Sequence, residues 1–255
     1  MIRRRLDDIA CVFLIHLARL RAEAGPFVLA AFVFPLGMYF FAGAVAGSSS
    51  PPAEASANHL RFLAGSIVFS MSLTAISWLG YLLLENRFTG RLKLFSTLPL
   101  APSSYVLGIL LFSLSHATLG TAALLLIARA SGVAVPLHSA AGFGLLAVTI
   151  VLTMLCVSGV AVIIAARARS FTEGSLLTDA LGAGLVLLAP VYYGPDVLPR
   201  ALQLISRLLP TTYAARSVQA TLSGRLGVGQ DLLILSLMAA ASLSAGFRLM
   251  KWRED

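Results

Sequence analysis

Charge is scarce in this chain. Asp, Glu, Lys and Arg make up 12% of its 255 residues, against about 25% in an average soluble protein. Hydrophobic residues reach 58% and the mean hydropathy is +0.88, which excludes an ordinary soluble domain. Cysteine is nearly absent: Cys11 and Cys156 stand alone in apolar stretches, so no disulfide framework is implied. The histidines His16, His59, His116 and His138 fall in separate segments. No His-Glu-x-x-His pair, paired-Cys spacing or Gly-x-Ser-x-Gly elbow occurs, so neither a metal nor a serine nucleophile is expected. No Gly-x-x-x-x-Gly-Lys-Ser/Thr loop cradles a phosphate, and no cofactor is expected. The eleven acids are dispersed, with no close pair inside an apolar run. That counts against a membrane-embedded enzyme, which wants clustered acids. The net charge of +8 comes without a basic face or interleaved aromatics, so nucleic acid is not the expected partner.

What the chain has is long apolar runs. Residues 27–46, 60–84, 105–127, 140–166, 175–191 and 232–247 predict six membrane-spanning helices in an all-α fold. Residues 1–25 predict an amphipathic helix lying on the inner membrane surface. Leu6, Ile9, Phe13, Leu17 and Leu20 recur at helical spacing, while Asp7, Asp8, Arg19 and Glu23 are polar. The alternative is a secretory signal, with Arg3 to Arg5 before an apolar stretch and small residues near Ala22. The interrupting aspartates and the trailing Arg19 and Arg21 favour the surface helix. Residues 26–255 then form one six-span transmembrane domain. Residues 47–59 hold no Lys or Arg and are expected outside, with both termini cytoplasmic. Residues 192–230 carry Arg200, Arg207, Arg216 and Arg225 on the side expected to be external, against the positive-inside tendency. Summed over all loops, Lys and Arg still favour the inner side. Two short amphipathic helices are expected there, external or re-entrant. Leu198, Leu202, Ile205 and Leu209 mark the first, and residues 213–222 form the second.

The organising stretch is residues 85–108, ENRFTGRLKLFSTLPLAPSSYVLG. It is a polar, basic interruption between two spans. Arg87, Arg91 and Lys93 place it in the cytoplasm. A short helix is expected over residues 87–98, with Leu92, Phe95 and Phe88 as its apolar stripe, ended by Pro99 and Pro102. A short helix joined rigidly to two spans can pass a push from a cytoplasmic partner into the membrane; the alternative is a basic loop that only fixes topology. Glu85, Thr89-Gly90-Arg91-Leu92, Leu98-Pro99, Ser104-Tyr105 and Gly108, with Leu209-Pro210-Thr211-Thr212-Tyr213 further on, resemble the permeases of type-2 ABC transporters. Those permeases more often carry Gly-Thr where this chain has Thr89-Gly90. The resemblance implies an exporter permease for drugs, lipids or glycans. It also implies a homodimer or paired permease in the cell's inner membrane, and a separate ATPase subunit that hydrolyses ATP. By the same resemblance, Glu85, Arg87, Gly90, Arg91, Lys93 and Pro99 couple the ATPase to the spans. Glu85 pairs with a nearby Arg or caps the loop, Gly90 permits a tight turn, and Pro99 ends the helix.

Ser66, Ser70, Thr74, Ser77 and Tyr81 step by three or four residues and share one face of the second span. They are candidates to line a substrate path, or simply small polar residues that let helices pack closely. His116 within the third span and Asp179 within the fifth are the ionisable groups at membrane depth. An ion pair with Arg167 or Arg169 is expected to neutralise Asp179. If His116 and Asp179 formed a midplane site, the chain would instead be a secondary transporter driven by an ion gradient. No internal repeat supports that alternative.

Overall fold

The computed structural model describes residues 2–20, 24–47, 55–137 and 139–250. Arg21 to Glu23, most of the 47–59 loop, His138, Lys251 and Arg253 lie outside the described residues. Among the described residues every regular element is helical. The elements are α1 (Ile2–Arg19), α2 (Ala24–Val28), α3 (Phe34–Gly47), α4 (Ala55–Ser72), α5 (Leu79–Phe88), α6 (Arg91–Thr97), α7 (Pro102–Ala130), α8 (Ala140–Arg167), α9 (Phe171–Leu187), α10 (Arg200–Ser206), α11 (Pro210–Leu222) and α12 (Gly229–Leu249). Single π-helical segments, Leu29–Val33 and Leu73–Trp78, join α2 to α3 and α4 to α5. Such bulges widen a helix by one residue and bring neighbouring groups into new register.

Four helices are long and apolar enough to cross a membrane: Asn58–Phe88, Pro102–Ala130, Ala140–Arg167 and Gly229–Leu249. Leu29–Ala44 is a shorter apolar helix. α9 has 17 residues, so it extends about 26 Å against a hydrocarbon core of about 30 Å. The expected fifth span over residues 175–191 therefore begins and ends four residues early. Its start is fixed by a cap: Ser170 Oγ accepts from Glu173 N at 3.1 Å, and Glu173 Oε2 accepts from Arg169 N at 2.8 Å.

α8 is the central helix, packed against α4, α5, α7, α9, α11 and α12. Helices in lipid gain little from apolar contact and need close backbones. Small residues supply them here. A Cβ on Gly159 of α8 would fall 2.7 Å from the carbonyl carbon of Ser242 on α12, and one on Gly246 would fall 3.2 Å from the Gly159 carbonyl oxygen. Ser242 Oγ donates to the Cys156 carbonyl at 3.0 Å. On α9, Gly174, Thr178 and Gly182 form one ridge, lying against Leu84, Gly80 and Ile76. α1 packs across α7, where Gly108 leaves room for it: a Cβ there would meet Val12 Cβ at 2.6 Å and the Ile9 carbonyl oxygen at 3.0 Å. Among the described side chains of α1, Val12 and His16 are buried, whereas Leu6 and Leu17 of its expected apolar stripe are exposed.

At the end away from α6 the chain makes two short helices, and the Leu209-Pro210-Thr211-Thr212-Tyr213 run shows why it has that composition. Pro210 starts α11, where no N–H is needed. Thr211 Oγ1 donates to the Leu185 carbonyl of α9. Thr212 Oγ1 donates to the Ser206 carbonyl at 2.6 Å and the Tyr213 hydroxyl to the Arg207 carbonyl at 2.6 Å. Three successive side chains thus satisfy carbonyls that helix ends would leave orphaned. α11 is held in the bundle between α4, α8 and α12, with Ser217 Oγ 2.8 Å from Thr149 Oγ1. Gly224, at φ +76°, turns the chain out of it.

Candidate functional site

The site forms where α5 ends. Glu85, Asn86 and Arg87 are consecutive, so on a helix they point in three directions about 100° apart. Each takes hold of a different element. Glu85 Oε2 accepts from Arg19 Nη2 at 2.8 Å, which ties in α1, and Oε1 accepts from Arg91 Nη1 at 3.1 Å, which ties in α6. Asn86 is buried and its Nδ2 donates to the Tyr105 hydroxyl at 2.7 Å, which ties in α7. Arg87 Nη1 donates to the carbonyls of Ala165 at 2.7 Å, Ala166 at 3.3 Å and Ala168 at 2.9 Å, which ties in the C-terminus of α8. A guanidinium there satisfies terminal carbonyls and meets the negative end of the helix dipole.

α6 itself is shorter than the 87–98 helix expected. Arg87 and Phe88 belong to the end of α5, and α6 starts at Arg91. Gly90 makes the break, at φ +78°, a left-handed conformation open to glycine at little cost. Thr89 closes the preceding turn, its Oγ1 donating to the Glu85 carbonyl at 2.6 Å. Leu98 is extended, as a residue before proline should be, and Pro99 follows it. The inner side of α6 places Phe95 against Tyr105, ring centres 5.2 Å apart, while Leu92 packs on the core. Its outer side carries Leu94, 65% exposed, with Leu98, Arg91 and Lys93 also exposed. Phe88 is exposed too, with the Arg87 guanidinium 5.2 Å from its ring centre. The foot is therefore an apolar knob ringed by cations.

His16 lies beside this cluster and its Nδ1 is 2.8 Å from the Val12 carbonyl. Burial holds its imidazole below the usual histidine range, assisted by Arg19 and opposed by the Val12 hydrogen bond and Glu85. A neutral ring fits a place already occupied by the Arg19 cation. Met250 lines the same small recess as Arg87, Leu92 and Ala165, so Arg19 and Met250 sit at the same end of the bundle as α6.

The hydroxyl stripe is separate from the foot. Ser66, Ser70 and Thr74 are fully buried. Ser66 Oγ lies 3.4 Å from the Tyr192 hydroxyl, and Ser70 Oγ faces Gly120 of α7. Ser77 and Tyr81 are half-exposed. Asp179 Oδ2 accepts from the Tyr81 hydroxyl at 2.6 Å. Among the described residues it makes no ion pair with Arg167 or Arg169, so the expected neutralisation does not occur. His116 is buried against Phe27 and Trp78, with ring centres 4.1 and 5.6 Å away, and neither ring nitrogen has a partner among the described residues. His116 and Asp179 are thus in different surroundings and form no joint site. Among the described residues no group of three or more His, Cys, Asp or Glu side chains could hold a metal.

Two foot residues went unassigned from sequence. Asn86 has its partner 19 residues on, and Arg19 has its partner 66 residues on. A polar residue kept between two charged ones at the end of an apolar run was the available signal for Asn86. No curated protein matches the chain. Residues 15–222 match the family model described as ABC-2 type transporter. That stretch takes in the foot, the hydroxyl stripe and the Leu209–Tyr213 caps. Its apolar helices make the chain a multi-pass membrane protein, and in this family the membrane component is normally non-catalytic, with the ATPase in a partner. The chain belongs to the ABC-2 type transporter family, as a membrane permease component.

Proposed function

We propose that this chain is the permease of an ATP-driven exporter, working as a homodimer or with a similar chain, with its ATPase subunit docked on the α6 face. Drug-like, lipid or glycan substrates suit its apolar helices. The membrane is the cell's inner membrane, with both termini and α6 cytoplasmic. Six crossings complete the bundle, with the Leu29–Ala44 helix and α9 joining the four long ones. Residues 1–25 form the interfacial helix and residues 26–255 the transmembrane domain. The family membership disfavours the gradient-driven alternative.

One observation carries this reading: Glu85, Asn86 and Arg87, consecutive at the end of α5, fasten that end to α1, α6, α7 and α8. Force applied to the knob at Leu94 enters all of these helices together. Glu85, Arg87 and Arg91 hold the foot, Gly90 and Pro99 bound it, and Lys93 faces the partner. Ser77 and Tyr81, half-exposed, line the path, while Ser66, Ser70 and Thr74 serve close packing.

The test is Glu85→Gln, which keeps the shape and removes the charge. Two partly exposed ion pairs are lost, each contributing about 0.2–1 kcal/mol. ATP hydrolysis coupled to transport by the reconstituted complex is expected to fall about tenfold, with the complex still assembled on a sizing column. Full coupling in Glu85→Gln would refute the lever.

A further inference from the structure

At the end of the bundle away from α6, a cleft of about 330 Å³ opens between the start of α4, the segment after α9, and α10 and α11. Arg61, Arg207 and Arg216 line it, with Tyr193, Gln203 and Gln219. Arg216 Nη2 pairs with Asp231 Oδ1 at 3.3 Å. Among the described residues neither Arg61 nor Arg207 has an ion-pair or hydrogen-bond partner for its side chain. Two guanidinium charges therefore converge on one cleft without an acid to balance them. Like charges held together beside a low-dielectric bundle repel, and an anion between them relieves this. Guanidinium groups also match the oxygen geometry of phosphate.

The cleft has an apolar neighbour. α10 brings Gln203 to the polar side, whereas Leu204, Ile205 and Leu208 on and just after it are 63%, 43% and 74% exposed. A cationic cleft beside an apolar ledge matches an amphiphile with an anionic head. Thr211, Thr212 and Tyr213 cap carbonyls beside this ledge, so those groups need no water when a lipid covers it. The foot is remote: Arg61 and Glu85 are 24 residues apart on one helix, about 36 Å.

We infer that this cleft binds the phosphate-bearing head of an anionic lipid, its acyl chains lying along Leu204, Ile205 and Leu208. The site stands whether or not an ATPase docks on α6. The probe is phosphatidylglycerol added to the purified full-length chain, with bound lipid counted by native mass spectrometry. Arg61→Gln/Arg207→Gln is expected to weaken retention about tenfold or more, while Arg225→Gln, on an exposed turn outside the cleft, leaves it unchanged. Phosphatidylcholine, with no net charge, is expected to bind poorly, and millimolar inorganic phosphate to compete only weakly. Wild-type retention in the double variant, or equal retention of phosphatidylcholine, overturns the site. Complete displacement by inorganic phosphate overturns the lipid assignment and makes the ligand free phosphate. Should the double variant not fold, Arg207→Gln alone, at an exposed side chain, decides between the same outcomes.

Discussion

Arg87→Ala is expected to be the most damaging single change at the foot. The lost guanidinium donates to the Ala165, Ala166 and Ala168 carbonyls, at 2.7, 3.3 and 2.9 Å. Among the described residues no other side chain donates to the carbonyls at the end of α8, and hydrogen bonds involving a charged group contribute about 1.5–3 kcal/mol. The melting temperature in detergent should fall accordingly. The functional loss should exceed the loss of stability, because α8 is the helix through which most of the bundle is joined. Arg87→Lys should lie between, since an ammonium is a point donor and lacks the planar fork of arginine. The comparison to make is melting temperature against coupled ATP hydrolysis for the three chains. If Arg87→Ala melts and couples like the parent, the contact with α8 is incidental.

The largest effect on the bundle itself is expected from Gly159→Leu. The added side chain has nowhere to go: its Cβ would stand 2.4 Å from Ser242 Oγ and 2.7 Å from Ser242 backbone. Backbone cannot rotate away as a flexible side chain does, so α12 must move off α8. Overpacking of this kind costs about 1–3 kcal/mol even where side chains can adjust. Separation of the helices would also break the Ser242 bond to the Cys156 carbonyl. Gly144→Leu on the same helix is the control, since nothing lies within 4 Å of its Cβ position. Gly159→Leu should give aggregated or poorly melting protein where Gly144→Leu gives a normal melt. Equal melts would mean that the α8–α12 contact is not close in the membrane.

Much of this architecture is legible in the residues. Long apolar runs mark the four long helices because backbone in lipid must bond to itself within a segment. Pro102, expected only to end the foot helix, opens α7, and Pro210 opens α11, each in a first turn where no N–H is needed. What escapes the sequence is pairing across distance. Asn86 needs Tyr105 folded over it, and Glu85 needs Arg19 brought round by α1; neither partner sits at a helical spacing. The foot helix is misjudged at its start because Phe88, Leu92 and Phe95 keep helical periodicity across Gly90. The glycine, which has φ +78°, outweighs that pattern by ending one helix and beginning another. Residues 24–47 and α9 blur the crossing count for different reasons. The first is interrupted by the Leu29–Val33 π segment. The second is short and carries Glu173 and Asp179. The arginines of the 192–230 segment also become intelligible in three dimensions, since Arg207 and Arg216 join Arg61 in one cleft.

The lever is tested most directly at Leu94, the exposed tip of α6. A photo-crosslinking residue placed there, in cells that also make the ATPase subunit, should join the two chains in one band. Leu94→Cys should react with an impermeant maleimide only in inside-out vesicles. Reaction from outside intact cells, with no crosslink to an ATPase, would contradict the account.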